Sequence, residues 1–296
     1  MDKLNRALEN RLESSIDELM KDREALALRN KTLADALHQM PIRHRLRRVL
    51  LRALAGVYVP SSRTAQQTDR ILLIRPDHLG DVLLCTPAIY ALRAAYPNTE
   101  IHALVGPWAA GVLATYDVVD LVLTIPFPGF TRGQPTDWRS PYRYAVQTAR
   151  RLRRIGYAEA VIFRADHWWG AWLARLTGIP RRVGYDHPDT SLFLTETVEH
   201  HHEHAVRQNL RLAEALTGTE AEAIYRFPVN SRDTAYVEGY LQEWGIGAGA
   251  FFFCIHPGAG TAVKAWEAEK WAKVADILTE QLGCLVVFTG TDNDLA

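Results

Sequence analysis

Ile71-Leu72-Leu73-Ile74, followed by Arg75-Pro76-Asp77-His78-Leu79-Gly80-Asp81, is the stretch on which the fold turns. Four consecutive apolar residues suit a parallel strand buried on both faces. The residues after them read as a loop, and a helical pattern begins near Val82 and runs to Ala95. The alternation continues downstream. Ile101 to Val105 reads as a strand, Pro107 to Tyr116 as a helix, and Leu121 to Ile125 as a strand before a Pro/Gly-rich loop from Pro126 to Pro141. Tyr142 to Arg154 reads as a helix, Ala160 to Phe163 as a strand, and Trp168 to Leu176 as a helix. Strands alternating with helices imply an α/β fold with a doubly wound parallel sheet, whose ligands bind at the carboxyl ends of the strands. The loop from Arg75 to Asp81 lies at such an end.

Asp81 falls at a helix N-terminus, where a carboxylate satisfies free backbone N–H groups and complements the dipole. On position alone it reads as a structural cap. A helix start facing a strand end is also an anion site, but this loop has Gly80 alone and not the G-x-G-x-x-G of dinucleotide folds, which argues against an NAD enzyme. Asp77 and His78 face the same loop, either as ligand contacts or as loop-stabilising groups.

A length of 296 residues suggests two domains. Lys plus Arg and Asp plus Glu number 34 each, so the net charge is zero, which argues against a nucleic-acid partner. Cys85, Cys254 and Cys284 lie far apart within apolar runs, with neither disulfide nor metal-ligand spacing, as in a reducing compartment. No apolar run reaches the ~20 residues of a bilayer span, and Met1 to Asn5 lacks the apolar stretch of a signal peptide. A soluble, cytoplasmic chain is expected.

The zero net charge conceals a local asymmetry. Between Pro41 and Pro60 stand Arg43, Arg45, Arg47, Arg48 and Arg52, with no acid. At 100° per residue Leu46, Val49, Leu50, Ala53, Leu54 and Val57 share one arc, with Arg45, Arg48 and Arg52 opposite and Leu51 off the arc. Such a helix either lies on an anionic membrane surface or packs on its own domain with a solvated arginine face. Upstream, Leu12, Leu19, Leu26, Leu33 and Met40 recur every seven residues, with Ile16, Arg23, Asn30 and Leu37 in the accompanying a positions. Residues 12–40 therefore read as a weak homodimeric coiled coil, as a single surface helix, or as a helix docked in an antiparallel hairpin with the basic helix after it. Residues 1–60 form a helical extension in this reading, and 61–69 a linker.

The chain resembles glycosyltransferase family 9, the bacterial heptosyltransferases and their relatives, in four segments standing in family order. They are Ile71 to Ala88 (ILLIRPDHLGDVLLCTPA), Gly178 to Tyr185 (GIPRRVGY), His204 to Asn209 (HAVRQN) and Ile255 to Trp266 (IHPGAGTAVKAW). The resemblance implies a glycosyltransferase-B fold of two Rossmann-like domains with the active site between them. Residues 70–230 would form the acceptor domain, 231–247 an interdomain helix and linker, and 248–296 the start of a nucleotide-sugar domain. The family pattern continues with a G-x-D-T-G-x-x-H segment past the position of Ala296, so a fragment of a longer enzyme is expected.

In that family the aspartate matched by Asp81 is the proposed general base, taking the acceptor hydroxyl's proton during an inverting attack on the anomeric carbon. Gly80 would let the acceptor approach the backbone, with Asp77 and His78 as further acceptor contacts. On the donor side, His256, Gly258, Gly260 and Thr261 form a small-residue loop whose N–H and hydroxyl donors suit phosphate. Lys264 matches the family's phosphate-binding lysine and would stabilise the charge that grows as the nucleotide leaves, without a metal or other cofactor. Trp266 reads as packing. The implied donor is a nucleotide sugar, with heptose from ADP-heptose as the leading expectation. The implied acceptor is the lipopolysaccharide core or another lipid-linked glycan, which places the chain in the cytoplasm or peripherally on the inner face of the cytoplasmic membrane. The alternative is an inactive remnant that associates with membrane or partners.

Three other features attract notice. His200, His201, His202 and His204 lack the carboxylate or cysteine that would complete a metal geometry. Trp168, Trp169 and Trp172 read as core or cleft-wall aromatics. Arg150, Arg151, Arg153 and Arg154 end a helix, where cations suit the dipole, or meet a phosphorylated acceptor.

Overall fold

The computed structural model describes residues 42–62, 69–130, 139–247, 249–259 and 264–291, with side chains from 47 onward. The heptad segment 12–40, with its homodimer expectation, lies outside the described residues, as do Gly260 and Thr261. The chain divides between Phe227 and Pro228 into two compact units, and residues 231–247 fall in the second.

The first unit opens with helix α1 (Ile42–Gly56) and strand β1 (Arg70–Arg75), then helices α2 (Leu79–Leu83) and α3 (Thr86–Ala95) and strand β2 (Glu100–Val105). A 3-10 turn (Pro107–Ala109) and a single helical turn, α4 (Ala110–Leu113), lead to β3 (Leu121–Thr124). Helix α5 (Ser140–Ile155), β4 (Glu159–Ile162), α6 (Trp168–Leu176), β5 (Arg181–Tyr185), β6 (Glu196–Val198) and α7 (Ala205–Thr217) complete it. The six strands are parallel in the order β3-β2-β1-β4-β5-β6, the doubly wound order in which the winding reverses beside β1.

Successive strand side chains point to opposite faces, which splits the apolar run of β1 between two cores. Ile71 and Leu73 join Ile101, Val105 and Val161 under Val82, Ile89, Leu113 and Leu210. Leu72 and Ile74 join Leu104 and Ile162 under Ala149, Leu152, Trp169, Trp172 and Leu173. Continuous hydrophobicity in β1 follows from helices covering both sides.

Four sequence expectations are corrected here. The helical segment expected from Val82 starts at Leu79 and breaks after Leu83, so Gly80 and Asp81 sit in a first helical turn and not in a loop. The helix expected over Pro107 to Tyr116 is a 3-10 turn plus one α turn. Strands β5 and β6 were not anticipated; arginines in β5 obscure the pattern, and Arg181 pairs with Glu196 of β6 at 2.8 Å and with Glu159 of β4 at 3.3 Å.

The fourth correction concerns α1. It packs on its own domain, but through the side thought to face solvent: Leu51 is completely buried, and Arg47 and Arg48 both bind the buried carboxylate of Asp189, the latter at 3.1 Å. Arg175 donates to the carbonyls of Ala55 and Val57 at 2.6 and 3.1 Å and so closes the helix C-terminus. Arg153 donates to the Pro60 carbonyl at 2.8 Å, and Ser62 N–H to the Gly178 carbonyl at 3.1 Å. Gly178 has φ +79, and a Cβ there would stand 2.9 Å from the Pro60 carbonyl, so only glycine suits this close crossing. Val49, Leu50 and Val57 remain exposed.

The second unit contains α8 (Ser231–Glu243), β7 (Phe252–Ile255), α9 (Ala268–Leu282) and β8 (Leu285–Phe288). The Asn230 side chain accepts from Asp233 N–H at 2.8 Å and caps α8. The two strands pair in parallel, with Phe252 opposite Leu285, and Gly283 at φ +62 ends α9 in the left-handed conformation that glycine favours. Among the described residues no helix is long and apolar enough to cross a membrane.

Candidate active site

The crevice outside the carboxyl ends of β1 and β4, where the strand order reverses, is where a doubly wound sheet binds ligands. The chain leaving β1 places Asp77, His78, Gly80 and Asp81 there, as the sequence suggested. The two carboxylates are treated very differently. The Asp77 side chain is 5% exposed and receives Arg75 Nε at 2.7 Å and the Arg164 guanidinium. The Asp81 side chain is 49% exposed, with Arg75 Nη2 at 3.5 Å. Asp77 is thus occupied with holding the crevice together, while Asp81 is open to a hydroxyl group. The capping reading of Asp81 does not hold, since the N-cap position belongs to His78, whose side chain caps nothing.

Arg75 is the hinge of this arrangement. It also donates to the Phe163 carbonyl at 2.6 Å, which ties the end of β1 to the end of β4. Trp108 Nε1–H donates to the Asp77 carbonyl at 2.9 Å, and the Trp108 ring lies 5.6 Å from the exposed His78 ring. A Cβ on Gly80 would meet nothing within 4 Å, so the fold itself does not demand glycine there and the space beside it is open. Cys85, close to Asp81 in sequence, is no competing nucleophile, because burial pushes its thiol up to about 12.

The sequence reading missed what β4 contributes. Arg164, Asp166 and His167 follow the strand, and with Phe130, Trp168 and Trp169 they line an aromatic-walled pocket. Burial opposes the charge on Arg164, yet its bonds to Asp166 and Asp77 hold its pKa above the ordinary value. The Asp166 carboxyl is likewise held low by Arg164 against the effect of burial. His167 is buried edge-to-face against Phe127, at 5.3 Å, and burial together with nearby Arg164 lowers its pKa to about 3. It is a neutral imidazole at physiological pH, and neither ring nitrogen has a hydrogen-bond partner. The available signal was position, since all three follow the apolar run Ala160 to Phe163 at a strand's carboxyl end. Trp169 and Trp172 are core residues, as expected, and Trp168 borders the pocket.

Two segments singled out in the sequence support this crevice from behind. His204 caps α7 by accepting the Val206 N–H at 3.3 Å. Asn209 is buried and donates to the Leu84 carbonyl at 2.8 Å, satisfying the backbone where α2 ends. The second segment is the Gly178–Tyr185 stretch that forms the crossing with Pro60 and strand β5. Among the described residues no group of three or more His, Cys, Asp or Glu side chains is placed to hold a metal ion.

In the second unit, His256 follows β7 and its Nδ1 lies 3.2 Å from the Thr289 hydroxyl, which follows β8. Gly258 borders a small apolar depression with Trp266, Trp271 and Phe288. The Trp266 ring packs edge-to-face on Trp271 at 5.0 Å, in keeping with a packing role, and Lys264 is exposed two residues before it. An exposed histidine at a strand end and an exposed lysine further along the chain are groups able to bind phosphate oxygens.

A sheet of this order with carboxylates at its reversal point defines a Rossmann-like, ligand-binding class of protein. Residues 145–295 match the model of the family described as Glycosyltransferase family 9 (heptosyltransferase), and the chain belongs to that family. It is 25% identical over 220 residues to lipopolysaccharide heptosyltransferase 3 of Escherichia coli (strain K12), an alignment taking in 71% of this chain and 60% of that protein. Among solved structures it is similar to the family 9 glycosyl transferase of Veillonella parvula DSM 2008, with a TM-score of 0.65 and 22% identity over 76% of this chain and 64% of that one. It is also similar to the E. coli ADP-heptose lps heptosyltransferase II, at TM-score 0.59 and 19% identity over 76% of this chain and 65% of that one. The chain thus spans about three fifths of the length of its curated relative. The family match includes Lys264 but begins after Asp81.

Proposed function

We propose that this chain carries the acceptor-activating base and part of the donor site of an inverting glycosyltransferase that moves heptose from ADP-heptose to a lipopolysaccharide-core or other lipid-linked acceptor. The observation that carries this reading is the division of labour between Asp77 and Asp81, one buried between two guanidinium groups, the other half exposed with a single cation at 3.5 Å. In the reaction the acceptor oxygen attacks the anomeric carbon as Asp81 takes the hydroxyl proton. The bond from that carbon to the diphosphate oxygen breaks, and ADP leaves with the bonding pair. Arg75 Nη2, at 3.5 Å, helps hold the Asp81 carboxylate in place until the proton moves. Lys264 and the backbone N–H groups around Gly258 and Gly260 receive the diphosphate, Thr261 adds a hydroxyl and His256 a ring nitrogen, so the reaction runs without a metal. Asp77 and His78 shape the acceptor side, and Gly80 leaves room for the acceptor. With such an acceptor the protein works peripherally at the inner face of the cytoplasmic membrane.

The test is a transfer assay with ADP-heptose and a heptose-deficient core acceptor. Asp81→Asn lowers kcat by about 10²–10⁴-fold with ADP affinity unchanged. Turnover equal to that of the parent chain removes Asp81 as the base.

A further inference from the structure

Helix α1 is held the wrong way round for a surface helix. Two of its arginines are spent on the buried Asp189, while Val49, Val57 and the following Tyr58 stand 63%, 54% and 84% exposed. Leu50 lies on the same outward side and is also exposed. Beside this face runs α5. A shallow groove lined by Leu54 of α1, Tyr142, Val146 and Arg150 of α5 and Trp172 of α6 joins them. Val146, Arg150 and Arg154 are exposed along one side of α5, at the i, i+4 spacing that aligns residues on a helix. Pro41 to Pro60 and α5 each carry five arginines and neither carries an acid, in a chain whose net charge is zero. Arg52, Arg150, Arg151 and Arg154 are exposed and none pairs with a carboxylate among the described residues.

We propose that the outward face of α1 and the adjoining arginine-bearing face of α5 form one docking surface for an anionic lipid bilayer. Apolar side chains enter the acyl boundary while guanidinium groups meet lipid phosphates at the rim. The occupant follows from the chemistry. A face combining exposed Val, Leu and Tyr with unpaired arginines and no acid complements a sheet of negative charge lying over hydrocarbon. The ion pairs to Asp189 fix α1 so that its apolar side must face outward, which a helix meeting only water has no reason to do. This deepens the peripheral location proposed above and stands independently of the sugar-transfer chemistry.

The experiment is sedimentation of the full chain with large vesicles of phosphatidylcholine alone, or with 30% phosphatidylglycerol, as salt is raised. Binding is expected only to the anionic vesicles and weakens with salt. Replacing Arg52, Arg150 and Arg151 by Gln lowers partition by about 100-fold. Val49→Asp with Leu50→Asp abolishes binding while the melting temperature holds, because neither side chain is buried. Equal binding to neutral and anionic vesicles, or undiminished binding by both variants, overturns the proposal. So does an aspartate variant that changes the sedimenting mass of the lipid-free protein but leaves vesicle binding intact, since another copy of the chain then covers this face. Transfer to a water-soluble core oligosaccharide reads the catalytic proposal separately and is unaffected by the paired Val49→Asp, Leu50→Asp variant.

Discussion

Arg164 reaches from the end of β4 to the buried carboxylate of Asp77 at the end of β1, across 87 residues of sequence, and Arg75 holds the other oxygen of the same carboxylate. Asp77 and Asp81 should therefore fail differently. Asp77→Ala strands two partly buried guanidinium groups and is expected to cost about 3 kcal/mol in denaturant unfolding. Asp81→Asn is expected to leave the unfolding midpoint within about 0.5 kcal/mol, since its carboxylate is half exposed, while transfer collapses.

On the donor side, Lys264→Ala is expected to weaken ADP binding about tenfold or more, measured by calorimetry, with the unfolding curve unmoved because the residue is exposed. Equal ADP affinity in the two proteins removes Lys264 from the diphosphate site.

Acid sensitivity has an identifiable contributor. The pKa of His167 falls from an unfolded value of 6.5 to about 3 in the fold, so between those values the unfolded chain binds the extra proton. Its contribution to stability is complete above about pH 6.5 and is lost progressively as the pH falls toward 3, by a few kcal/mol in all. His167→Phe is expected to flatten the melting temperature against pH over that window relative to the parent chain. Parallel curves would show that another group controls the slope.

The docking of α1 gives a paired prediction. Leu51→Ala, in a fully buried site, is expected to cost about 2–4 kcal/mol, whereas Val49→Ala on the outward face changes stability by less than about 0.5 kcal/mol. The reverse ranking would mean that the helix packs through its apolar arc.

What was legible in the sequence was whatever depends on neighbours along the chain. Ile71 to Ile74 announced a strand buried on both faces, and the residues after it were placed correctly at that strand's carboxyl end. Long-range pairing was not legible. Arg181 and Arg182 look wrong for a strand until Glu159, Glu196 and the carbonyls of Ile179 and Phe193 are brought to them. The face of α1 was misjudged because its decisive partner, Asp189, lies 141 positions from Arg48. Arg164 and His167 join the candidate site only through the pairing of β1 with β4.

That pairing also sets a clock during synthesis. Strand β1 emerges early and can pair with β2 once the chain has grown as far as Ile101, but its other edge waits for β4. At roughly 5–20 residues per second, the 87 positions separating Asp77 from Arg164 take on the order of 4–17 s to translate. For that interval one edge of the apolar run Ile71 to Ile74 is unpaired and Asp77 lacks one of its two cations. Rare codons placed between these positions would lengthen the exposure, and the yield of soluble protein should fall accordingly.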